Sequence, residues 1–175
     1  MVVKEEKNTK LNEVESVSKT KKETIEEKSI EEKEEIPAED DYFGWGNKLY
    51  NEKAPLSEVI DKFLKAIEKN PKDSSSYTCL SWLHILRDEE GDQKKALTFA
   101  KTALKLDPTN SQAHFNLVLA FLTNNKKGVR EEFQKVISKS SSQDIEAAIT
   151  NLKEALNRRP DFEEAKKLLK WLENN

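Results

Sequence analysis

KAIEKNP at 65–71, TALKLDP at 102–108 and EALNRRP at 154–160 are near copies of one segment. Extended toward its amino terminus, each joins the same pattern: Val59, Phe63, Ala66 and Pro71; Ala96, Ala100, Ala103 and Pro108; Ala148, Leu152, Ala155 and Pro160. The offsets from the first position are 4, 7 and 12 in all three. Positions 0, 4 and 7 share one face of an α-helix, and alanine there lets a second helix approach closely. The proline five residues further on cannot continue the helix, so it marks the turn into the next one. Polar residues able to start a helix follow each proline: Lys72 and Ser74, Thr109 and Ser111, and Asp161. Three copies of one helix and its exit predict a helical repeat.

Outward from these segments, apolar residues recur at three- and four-residue spacing from Asp41 onward, and no stretch alternates with the period of two that a half-buried strand shows. The reading is all-α. A length of 175 residues suits one domain plus a tail. Charged residues make up 36% and hydrophobic ones 35%, below the roughly 45–50% apolar content of average globular chains, so part of the chain is not core. That part is the start. Residues 1–41 carry 14 acids against 8 lysines, a balance of -6, while the remainder carries 19 acids against 22 Lys and Arg, a balance of +3. With no aromatic and only scattered apolar residues, residues 1–40 cannot offset a chain entropy of about 1–2 kcal/mol per residue. An acidic, disordered, Lys/Glu-rich tail at 1–40 and a helical domain at 41–175 are expected. No apolar run nears the ~20 residues of a membrane span, and no signal-peptide h-region is visible, which makes the expected location cytoplasmic. Cys79, the single cysteine, permits no internal disulfide.

The repeated pattern resembles the tetratricopeptide repeat family, whose unit is a helical hairpin of about 34 residues with aromatic, Leu, Gly and Tyr positions in the first helix and Ala, Phe, Ala and Pro in the second. The middle unit matches best, with Tyr77, Leu80 and Gly91 preceding Ala96, Ala100, Ala103 and Pro108. Phe43 and Tyr50 take the aromatic and late-tyrosine positions of the first unit; His114, Leu117 and Phe121 take the first-helix positions of the third. The resemblance implies a right-handed solenoid of about three hairpins at 41–71, 74–108 and 111–160. Between Pro108 and Pro160 lie about 18 residues more than the family unit. In that insertion, near 122–142, Val129, Phe133, Val136 and Ile137 stand at helical spacing and predict an added helix. The segment 161–173, with Phe162, Ala165, Leu168, Leu169 and Leu172 on one side, reads as the capping helix a solenoid end requires.

Chemistry is thinly represented. His84 and His114 are the only histidines, no nucleophile or metal motif occurs, and four glycines are too few for a phosphate-cradling loop. No catalytic residue, metal site or cofactor is expected. The resemblance implies instead that first helices line a concave groove for a partner segment, presenting Trp45 and Lys48, then Thr78 and Trp82, then Gln112, Phe115, Asn116 and Leu119. Two uses of the rings Trp45, Trp82 and Phe115 stay open: anchors for a partner, or cover for the core. Positions matching a known carboxylate clamp of the family hold Gly44, Lys48, Cys79, Gln112 and Asn116, which disfavours an acidic C-terminus as ligand in that groove. The expected function is non-catalytic protein binding, as an adaptor or co-chaperone-like assembly factor. The alternatives are a structural or self-associating module, and weak binding of nucleic acid or an acidic partner through the basic insertion. Nucleic acid is disfavoured by a sequence pI of about 5.6.

Overall fold

The computed structural model of the chain describes residues 36–174. The disorder expected of the acidic tail therefore falls almost wholly outside the described residues. Among the described residues there are eight helices and no strand: α1 Tyr42–Asn51, α2 Leu56–Lys69, α3 Ser74–Arg87, α4 Asp92–Leu106, α5 Ser111–Thr123, α6 Val129–Ile137, α7 Ser142–Arg158 and α8 Glu163–Glu173.

Local chemistry sets most of the boundaries. The side chains of Asp41, Asp73 and Asn110 accept hydrogen bonds from the otherwise unpaired N–H groups of Gly44, Ser75 and Ala113, starting α1, α3 and α5. Ser141 and Asp144 form a reciprocal capping box at the start of α7. Helices α2, α4 and α7 each stop two residues before the exposed Pro71, Pro108 and Pro160. Gly91, at φ 85°, makes the tight entry into α4 in a backbone conformation that side chains resist.

The helices α1–α4 form two antiparallel hairpins around a first core. Val59, Ile60 and Phe63 of α2 meet Leu80 and Leu83 of α3, with half-buried Phe43, Leu49 and Phe99 around them. Phe43 meets Phe63 edge-on at 5.6 Å. Gly46 permits this packing, since a Cβ there would stand 2.8 Å from the Phe63 ring. The repeated positions Val59, Phe63, Ala66, Ala96, Ala100, Ala103, Ala148, Leu152 and Ala155 are all buried.

A second core has a different origin. Ile85 and Leu86 of α3 and Phe115, Val118, Leu119 and Leu122 of α5 are covered by Phe133 and Val136 of α6, Leu152 and Ala155 of α7, and Leu168 and Leu172 of α8. The inserted helix α6 packs on α5, and the end helix α8 packs on both α7 and α5. Burial thus surrounds α3 and α5, whose buried residues run almost continuously over 80–86 except Trp82, and over 115–120. A helix apolar on every side is one enclosed on every side.

Candidate partner-binding site

Helices α1, α3 and α5 frame a recess of about 200 Å³. Asn47 and Tyr50 enter it from α1; Thr78, Cys79, Trp82 and Leu83 from α3; Gln112 and Asn116 from α5. Asn151 of α7 and the Phe63 ring complete its lining. The surface is apolar at its base and neutral-polar around its rim, with no formal charge among these side chains.

Helix α7 bounds the recess. Asn151 Nδ2 donates to Gln112 Oε1 at 3.0 Å, Gln112 Nε2 to Asn116 Oδ1 at 3.1 Å, and Asn116 Nδ2 to the Thr78 carbonyl at 3.1 Å. This relay of amides joins α7, α5 and α3. One turn later a second relay closes: Trp82 Nε1 donates to Tyr50 Oη at 3.0 Å, and that hydroxyl donates to Glu154 Oε1 at 3.0 Å. Arg158 holds the same carboxylate oxygen at 3.0 Å, with its guanidinium 5.3 Å from the Tyr50 ring centre. Burial, together with the Glu154 charge, pushes the Tyr50 hydroxyl up to about 12, so it remains a donor at physiological pH. Arg159 fixes the end of α7, donating to the Ile85 carbonyl at 3.0 Å and to Asp88 at 2.6 Å. The repeat spacing reads α7 as the second helix of a third hairpin. In the structure its end reaches the Tyr50 side chain of α1 and, through Arg159, the Ile85 carbonyl of α3.

That placement sorts the expected groove residues. Thr78, Trp82, Gln112 and Asn116 come together in the recess. Phe115 and Leu119 do not line it; they are 3% and 1% exposed inside the second core, because α6, α7 and α8 cover the faces they present. Trp45 turns to another hollow, beside Pro37, Leu49 and Lys62, where its Nε1 donates to the Ala38 carbonyl at 3.0 Å. Lys48 pairs with Glu52 at 2.9 Å. Asn47, Tyr50, Asn151 and Glu154 were missed by position alone. Their signal in the sequence is the i, i+3 pairing of polar groups on α1 and on α7.

Titratable groups elsewhere serve the fold. Fully buried Asp92 receives Arg87 Nε and Nη2, both at 2.8 Å, lies 2.7 Å from His84 Nδ1, and accepts the Glu89 backbone N–H at 3.1 Å. Burial alone would raise its carboxyl, but these donors outweigh it and hold Asp92 well below the usual carboxylate range. Burial keeps His84 below its ordinary value despite the Asp92 charge. The cluster ties the α3–α4 turn. Burial and the Asp73 charge push the Cys79 thiol up to about 12, far from thiolate chemistry. Among the described residues no three of His, Cys, Asp and Glu converge as a metal site, and no helix is long and apolar enough to cross a membrane.

Residues 62–98, from the middle of α2 to the middle of α4, match the family model of the tetratricopeptide repeat. Residues 62–98 carry a tetratricopeptide repeat. Such repeats mediate protein–protein interaction, and the all-helical, hairpin-built architecture fits a helical repeat solenoid. No curated protein matches the chain significantly in sequence.

Proposed function

We propose that the protein is a non-catalytic adaptor that binds a partner protein by taking one of its side chains into the recess between α1, α3 and α5. The observation that carries the reading is the size and lining of that recess. About 200 Å³ lies below the roughly 300–1,000 Å³ of small-molecule sites, yet suits one anchoring side chain. Trp82 and Tyr50 supply aromatic walls of the kind that concentrate binding energy, and Asn47, Gln112 and Asn151 supply amides for a partner's backbone. With α7 covering the faces of Phe115 and Leu119, the binding surface is the part framed by the first two hairpins and the start of α5. Cys79, the nucleophile-type side chain of the lining, is held as a thiol by burial, which supports a non-catalytic reading.

The test is to plug the recess from its exposed rim. Asn47→Trp should leave the helical circular dichroism spectrum and melting temperature unchanged. Affinity capture from native lysate should then lose the partners that wild type retains. Partners that persist on the folded variant would sink the recess as binding site.

A further inference from the structure

Away from the recess, the side chains of α6 and α8 build a second surface around Trp171. The Arg130 guanidinium lies 4.1 Å from the centre of the Trp171 ring and the Lys167 ammonium 5.4 Å from it. Two hollows adjoin this stack and share Arg130, Lys167 and Trp171. One, of about 430 Å³, adds Lys126 and the apolar side chains of Phe121 and Val129; the other, of about 590 Å³, adds Lys170.

The ion pairing of these side chains differs from that of their neighbours. Lys135 and Lys166, on the same two helices, are satisfied by Glu132 and Glu163 at 3.3 and 2.7 Å. None of Lys126, Arg130, Lys167 and Lys170 has a carboxylate within 4.0 Å among the described residues. The negative face of the indole draws two cations to one ring, and neither forms an ion pair among the described residues. An incoming carboxylate would gain charge-assisted hydrogen bonds to the guanidinium and the ammonium together.

From this geometry we propose that the α6–α8 surface binds an acidic protein segment, with Asp or Glu side chains flanking one large apolar residue. The apolar residue packs between Phe121, Val129 and Trp171, while the carboxylates reach Arg130, Lys167 and Lys170. A protein segment fits better than a nucleic-acid strand. Glu163 and Glu164 line the hollow of about 430 Å³, where they would repel a continuous run of phosphates, and a phosphate chain leaves the apolar lining unmatched. A peptide can place its charges only where cations wait. This surface shares no residue with the recess, so either site can fail without the other.

Fluorescence anisotropy tests the proposal on the full chain. The probes are a fluorescein-labelled peptide with two Glu on each side of a Phe, the same peptide with Gln for Glu, and an oligo-dT of equal length. Wild type should bind the Glu peptide with an affinity that falls as salt rises, and prefer it to both other probes. The Arg130→Gln, Lys167→Gln, Lys170→Gln variant exchanges exposed side chains without carboxylate partners, so its melting temperature should be unchanged. Its affinity should drop about tenfold, while Asn47→Trp leaves binding intact. No binding of the Glu peptide, equal binding of the Gln peptide, unchanged affinity of the folded triple variant, or preference for oligo-dT would each overturn it.

Discussion

The two cores of this domain are made of similar residues but arise in different ways. The first, Val59, Ile60 and Phe63 against Leu80 and Leu83, forms between helices adjacent in sequence. The second gathers Ile85 and Leu86 of α3, the apolar side of α5, and three later helices, α6 to α8. Repeat packing accounts for the first, because each hairpin buries its face on the next. Coverage by the chain's own later helices accounts for the second. The difference teaches that a repeat motif prescribes its own contacts and leaves the remaining faces to whatever segment follows.

Truncation in the first core gives the largest expected effect. Phe63→Ala should cost about 3–5 kcal/mol, measured by urea unfolding, because the 2% exposed ring also supports Gly46 and Phe43. A cost under about 1 kcal/mol would mean that this core is not what holds the hairpins. Asp92→Ala should be nearly as damaging, about 3 kcal/mol or more, since it strands the Arg87 and His84 side chains at a buried turn.

Next comes the second core, where Leu152→Ala should cost about 2–4 kcal/mol. Hydrogen exchange makes the comparison sharper. If α7 is integral, protection of α3 amides falls along with that of α7; if α7 is an independent cover, α3 protection stays at the wild-type level. A smaller effect is expected at the end of α7, where Arg159→Ala removes a partly exposed pair and a bond to the Ile85 carbonyl, for about 1 kcal/mol.

The smallest effect is a pH dependence that belongs to the first region. His84 has a lowered folded-state value, so the unfolded chain takes up a proton near its ordinary value of about 6.5 that the folded chain resists. Stability is therefore greatest above that range and declines as pH falls through it. Asp92, also lowered, keeps its contribution down to about pH 4 and loses it below. Thermal melts at pH 7.5 and 5.5 should differ by a few degrees, with the lower value in acid. Equal melting temperatures would show that His84 is not resisting protonation.

How much of this could be read from the residues follows the same division. The repeated Ala and Pro positions and the polar helix starts identified the repeat and its turns, because caps and prolines act within a few residues. The insertion's Val129, Phe133 and Val136 gave a helix, as spacing alone can. What covers which face depends on contacts tens of residues apart, and there the aromatic line dissolved. Trp82 stayed in the recess, Phe115 went into the second core and Trp45 into a separate hollow. One local clue to the covered face was present: LVLAFL at 117–122 is apolar all round, more than a helix with one open side requires.

Arg159 and Glu154 have a consequence for folding order. Their bonds reach partners 71, 74 and 104 residues away, to Asp88, Ile85 and Tyr50, whereas an ordinary solenoid is stitched only between neighbours. Such distant closures carry a loop-entropy cost and raise contact order, so they belong late in folding. Once formed, they tie α7 to α1 and α3. The hairpins should then melt as one cooperative unit instead of fraying from an end, and limited proteolysis of the native protein should spare 42–173 as a block.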